Sequence, residues 1–123
     1  MDGSNAFNNA GLFNAAASTR INTAFNNSGS VDVQIGALQL LGGGSQTGDF
    51  DTSGGVLYLS GAHDFESGST VTGSSRVTGG VARFKAGSEL VGAATIDGSG
   101  TLLVDTGANV AVDSLTLASG TLQ

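Results

Sequence analysis

The segment Ala6-Phe7-Asn8-Asn9-Ala10-Gly11 returns 18 residues later as Ala24-Phe25-Asn26-Asn27-Ser28-Gly29. Self-similarity at a period near 20 residues confines a chain to architectures that stack one short unit on the next. Asp49-Phe50-Asp51-Thr52-Ser53-Gly54 reads as a third copy, a further 25 residues on. Looser copies follow at Val77-Thr78-Gly79-Gly80, Ile96-Asp97-Gly98-Ser99-Gly100 and Leu117-Ala118-Ser119-Gly120. On this alignment the repeat glycines fall at 11, 29, 54, 80, 100 and 120, with spacings of 18, 25, 26, 20 and 20.

Between the glycines the apolar residues alternate, as in Val31-Asp32-Val33-Gln34, Ala82-Arg83-Phe84-Lys85 and Val110-Ala111-Val112-Asp113. A period of two places successive side chains on opposite faces of a strand. The best helical candidate is residues 11–24, with Ala15-Ala16-Ala17. Helical spacing is not sustained there, and 21 glycines in the chain weaken any helix that contains them. Strands this short are not stable alone. Stacked coils solve the problem, because each strand pairs with its counterparts above and below while inward residues form one core. The expected fold is therefore all-β: a right-handed parallel β-solenoid (β-helix) of about six short coils, forming one domain over residues 1–123. An antiparallel β-sandwich is the alternative, though it favours hairpin dipeptides such as Asn-Gly, which the sequence lacks.

The expected core ladder is Phe7, Phe25, Val31, Val33, Leu38, Leu40, Phe50, Leu57, Leu59, Phe65, Val71, Val77, Phe84, Leu90, Ile96, Leu102, Val104, Val110, Val112, Leu115 and Leu117. Composition agrees with a thin core, since 39% of residues are hydrophobic and only 11% are charged. Disordered chains show the reverse balance. A net charge of −6 argues against a nucleic-acid partner, which calls for clustered Lys and Arg. No apolar run is long enough to span a bilayer. The absence of Cys excludes a disulfide framework and thiolate metal sites. Residues 1–5 read as a flexible start without the features of a signal peptide.

Phe25-Asn26-Asn27-Ser28-Gly29-Ser30-Val31-Asp32-Val33-Gln34, followed by Gly36-Ala37-Leu38-Gln39-Leu40, resembles the repeats of giant secreted bacterial surface proteins. Such repeats occur in autotransporter passenger regions and filamentous-haemagglutinin-like adhesins. Gly54-Gly55-Val56-Leu57-Tyr58-Leu59-Ser60-Gly61 and Ser67-Gly68-Ser69-Thr70-Val71-Thr72-Gly73 are similar to the coils that follow in those proteins. The resemblance covers roughly residues 6–122. It implies a β-solenoid at the cell surface or outside the cell, acting mainly as a stalk or adhesive element. Arg76, Arg83 and Lys85 depart from the neutral pattern and mark either a contact surface or a device for solubility.

Chemistry is sparse. His63, the single histidine, lies beside Asp64 and near Glu66, and no Gly-x-Ser-x-Gly motif accompanies it, so it reads as a solvated corner residue. Asp49 and Asp51 would share one face of a strand, and paired carboxylates serve glycosidases and metal-dependent lyases. Here the remaining acids Asp32, Asp97, Asp105 and Asp113 look singly spread, and no calcium-binding nonapeptide pattern is present. Gly42-Gly43-Gly44 lacks the Lys-Ser or Lys-Thr of a phosphate loop and reads as a flexible corner lengthening the second coil. No catalytic, cofactor-binding or metal-ligating residue is assigned, no cofactor is expected, and the chain is not read as an enzyme.

The first and last coils look incomplete, beginning at Ala6-Phe7 and stopping at Gly120-Thr121-Leu122-Gln123. Uncapped solenoid ends offer unpaired backbone groups to another strand. Phe7, Phe13, Leu115, Leu117 and Leu122 are the candidate self-association residues. The expected partner is the chain itself, stacked head to tail into filaments, or adjoining repeats in a stalk. A carbohydrate-binding module using Tyr58, Arg83 and Lys85 is the competing expectation.

Overall fold

The computed structural model describes residues 6–123, so the expected flexible start at residues 1–5 lies outside the described residues. The described chain is all strand and turn. Coil one carries β1 (Ala6–Asn9), β2 (Leu12–Ala15) and β3 (Thr19–Ile21); coil two carries β4 (Ala24–Asn27), β5 (Ser30–Val33) and β6 (Ala37–Leu40). Coil three has β7 (Gly44–Gln46) and β8 (Asp49–Leu59), and coil four has β9 (Ala62–Phe65) and β10 (Thr70–Val77). Coil five has β11 (Val81–Phe84) and β12 (Glu89–Ile96), coil six has β13 (Thr101–Val104) and β14 (Asn109–Leu117), and β15 (Thr121–Leu122) follows. The helical candidate at residues 11–24 is occupied by β2 and β3.

All described strand pairs are parallel, with register shifts only in β8–β10 and β12–β14, giving a β-solenoid of about six turns and excluding the sandwich. One sheet has seven strands in the order β1-β4-β7-β9-β11-β13-β15. The other runs β14-β12-β10-β8-β5-β2, with β6 also pairing β8 and β3 pairing β6. No helix among the described residues is long and apolar enough to cross a membrane.

Strand register corrects the repeat alignment. Ala6 pairs with Ala24, so the first two copies are true counterparts. Phe50, however, pairs with Val31 and Val71 in the eight-stranded sheet, whereas Phe25 lies in the seven-stranded one. The two rings meet across the core, with centroids 6.4 Å apart. The counterpart of Gly29 is Gly48, stacked directly on it, and Gly80, Gly100 and Gly120 line a different corner with Gly61. Gly54 sits in a bulge of β8, where Ser53, Gly54 and Gly55 fall between the paired Thr52 and Val56. Nor do residues 42–44 lengthen a coil: Gly43 is buried, and its carbonyl accepts the Phe25 N–H at 2.8 Å.

Alternation buries one face of every interior strand, as in β11, where Ala82 and Phe84 are buried and Val81 and Arg83 exposed. Phe25, Val31, Val33, Leu38, Leu40, Phe50, Leu57, Leu59, Phe65, Val71, Val77, Phe84, Leu90, Ile96 and Leu102 are all buried. Each contributes roughly 1.5–3 kcal/mol of apolar burial, before the cost of ordering the chain. Val104, Val110 and Val112 are partly buried against this core. Phe7, Leu115 and Leu117 stand outside it, because among the described residues no strand covers them beyond the first and last rungs.

The long strands of the eight-stranded sheet bend where Gly73 and Gly92 stack. Both have positive φ, 107° and 109°, and a Cβ at Gly92 would collide with the Gly73 carbonyl oxygen. Only glycine meets both demands.

Candidate assembly ends and a buried polar column

Seven strands in one sheet and six rungs in the other leave the solenoid with two open edges among the described residues. Phe7 and Leu122 sit at opposite ends of one inward column of the seven-stranded sheet. Between them lie Phe25, Gly44, His63, Ala82 and Leu102. Phe7 is 43% exposed and Leu122 44%, whereas Phe25 and Leu102 inside the same column are buried. Leu115 and Leu117 likewise stack on buried Ala94 and Ile96. Their exposure therefore comes from position along the stack, since the same columns are closed one rung inward. Phe13 is half-buried and packs edge-on against Phe7 and Phe25, with centroids 5.5 and 5.6 Å away. Leu12 and Ile35 are also exposed, and the alternation pattern gave no reason to single them out.

Beside this column runs a second inward one: Asn9, Asn27, Gln46, Phe65, Phe84 and Val104. Its upper half is aromatic, with Phe65 and Phe84 stacked at 4.3 Å and 2°. Its lower half is polar and fully bonded. Asn9 Nδ2 donates to Asn27 Oδ1 at 2.9 Å, and Asn27 Nδ2 donates to the Asp49 carbonyl at 3.1 Å. Gln46 Nε2 donates to the Phe25 carbonyl at 2.7 Å, while its Oε1 accepts the Asn27 N–H at 3.1 Å. Burial without such partners would cost about 1–3 kcal/mol per group.

His63 belongs to this interior, which corrects its reading as a solvated corner residue. It is 1% exposed, in phase with Phe65 on the inner face of β9. Its Nε2 lies 2.9 Å from the Ser60 carbonyl and 3.1 Å from that of Leu40, and its Nδ1 is 3.3 Å from Gln46 Nε2. Burial lowers its pKa from the ordinary imidazole value, opposed by the two carbonyls and by Asp64. Asp64 itself points to the other face of β9, so the two adjacent residues do not form a catalytic pair.

Register also pairs acids that the sequence left separate. Asp32 and Asp51 are direct partners on β5 and β8, correcting the view of Asp32 as a lone carboxylate. Asp49 and Asp51 do share the outer face of β8, with Phe50 buried between them. Asp51 accepts from both the Ser53 hydroxyl, at 2.6 Å, and the Ser53 N–H, which pulls its pKa down.

The three bases of coils four and five are all tied to acids on adjacent coils. Arg76 pairs with Asp97 and lies over Tyr58, 5.8 Å from the ring centroid. Arg83 pairs with Asp105 at 3.0 Å, and Lys85 with Glu66 at 3.2 Å. Tyr58 belongs to the eight-stranded sheet and Arg83 to the seven-stranded one, so the three candidate glycan contacts do not share a sheet. Comparison with protein-family models, curated proteins and solved structures finds no match for the chain.

Proposed function

We propose that this chain is a structural, non-catalytic solenoid module of the cell surface or extracellular space, which extends by head-to-tail stacking of copies. One observation carries the reading: Phe7 and Leu122 are the two exposed ends of a single core column. A second copy translated along the axis would set its Phe7 on Leu122 and continue that column. The neighbouring outward column ends in the same way, with Asn8 at one edge and Gln123 at the other, and amide side chains pair well across parallel strands. Inside the molecule Asn26 Nδ2 already donates to Asn8 Oδ1 at 2.9 Å. An interface of this kind is heterologous and open, so it generates filaments and not closed rings. The resemblance to surface-protein repeats supports the location. In a longer chain, adjoining repeats would meet the same edges and form a stalk.

Sedimentation and negative-stain microscopy of the folded protein test this reading. Rods that lengthen with protein concentration are expected, and Phe7→Glu or Leu122→Glu should abolish them. Monodisperse particles at every concentration where the protein is folded would overturn it. A glycan array addresses the adhesive reading, for which a selective hit lost on replacing Tyr58 would be the supporting result.

A further inference from the structure

We propose that His63 and Gln46 form an acid-sensitive latch that holds the third coil to its neighbours. Every hydrogen-bond role in the pair is fixed by backbone. Gln46 must direct its Oε1 to the Asn27 N–H and its Nε2 to the Phe25 carbonyl, so Nε2 reaches His63 as a donor. Nδ1 of His63 is then an acceptor, and the ring proton sits on Nε2, facing the Ser60 and Leu40 carbonyls. Only the neutral imidazole satisfies all four contacts. A second proton would set an N–H of the ring against the N–H of Gln46. Turning the Gln46 amide over would relieve that clash only by breaking both of its backbone bonds.

The surroundings offer the imidazolium little. His63 stacks in register between Gly44 and Ala82, with the Phe65 ring 6.4 Å away. The inward residues facing it from β4, β7, β9 and β11 are Phe25, Gln46, Phe65 and Phe84, none of them charged. The ionisable groups on the outer face of the same rungs, Asp64, Glu66 and Lys85, are only partly buried, and both acids pair with Lys85. The rung that would yield is also the one with the fewest register pairs to a neighbour among the described strands. β7 has three residues and joins β4 through one register pair, Asn27 with Gln46. Its first residue, Gly44, has a φ of 145° and no room for a Cβ against the Phe25 carbonyl. Protonating His63 therefore opens the seven-stranded sheet at β7, while β5 and β6 stay paired with β8 in the other sheet and keep the coils stacked.

Amide hydrogen exchange between about pH 7.5 and pH 5 tests the latch, after correction for intrinsic exchange chemistry. The β7 amides and their partners in β4 and β9 should lose protection on acidification, roughly tenfold per pH unit below the free imidazole pKa, while β11 and β13 keep theirs. The His63→Gln variant retains a donor and an acceptor but no titration, so its β7 should not respond. Equal loosening in both proteins, or none in the wild type, would overturn the proposal. If the variant does not fold, NMR titration of the single histidine decides. Its ring should stay neutral below the free imidazole pKa and charge only as β7 protection falls. Free titration in the ordinary range, with β7 still protected, would overturn it.

Discussion

Asp32 and Asp51 are register partners on adjacent parallel strands about 4.8 Å apart, so two acidic side chains leave the sheet side by side on one outer face. Like charges placed directly opposite each other destabilise a sheet. Gln34 Nε2, 3.2 Å from Asp32, and Ser53, bonded to Asp51, each engage one carboxylate without separating the charges. Asp32→Asn should therefore raise stability in urea denaturation by about 0.2–1 kcal/mol at low salt. The gain should shrink in high salt as the charges are screened.

Acid should act on the whole molecule in two separate windows. The pKa of His63 is lowered in the folded state, so the unfolded chain binds its proton first as pH falls. Its contribution is complete above the unfolded imidazole value of about 6.5 and is lost progressively below it, down to the folded value. Asp51, also lowered, contributes above the ordinary carboxylate range and is lost only near pH 4 and below. Denaturation curves for the wild type and His63→Gln should thus diverge between pH 7 and 5. Asp51→Asn should alter only the more acidic limb.

Gly92→Ala should cost several kcal/mol, about 1–3 from the positive φ alone. Overlap of its Cβ with the Gly73 carbonyl adds to that. Gly68→Ala makes a useful comparison, because its φ is also positive at 90° but nothing lies within 4 Å of the added carbon. A markedly smaller loss of thermal stability in the second variant would isolate the stacking contribution.

Phe84→Ala should cost about 3–5 kcal/mol by the same assay, as for other large-to-small aromatic changes in a closed core. Phe84 is 1% exposed and lies against Phe65 on the next rung. Arg83→Ala, on the opposite face of the same strand, should cost no more than about 1 kcal/mol, since its ion pair with Asp105 is solvent-screened.

The parallel solenoid was legible because alternation in Val31-Asp32-Val33, Ala82-Arg83-Phe84 and Val110-Ala111-Val112 survives any error in the repeat phase. The phase itself was not. Asp49-Phe50-Asp51 looks like Ala24-Phe25-Asn26 to a reader of residue types, yet the two phenylalanines come from opposite walls of the core. Both walls need large inward side chains, so similarity of sequence does not identify the wall. Shifting the third copy hid the Asp32–Asp51 pair, which appears only at the true spacing of 19. His63 could have been found: in Ala62-His63-Asp64-Phe65 it is in phase with the apolar Phe65, and the acidic neighbours distracted from that. β7 gave less to work with, because Gly44-Ser45-Gln46 contains no apolar residue and its inward position is held by hydrogen bonds instead.

Because every described strand pair is parallel and bonded to the rungs above and below it, the backbone hydrogen bonds lie along the long axis of the stack. Tension applied to the two termini would load them a rung at a time, like a zip, and not all at once as in a sheared sheet. Each coil that peels away releases about 60 Å of chain, from some 19 residues at roughly 3.4 Å each less the thickness of its rung. Optical-trap traces should then record a run of small, evenly spaced extensions at low force, which is the behaviour of a shock absorber.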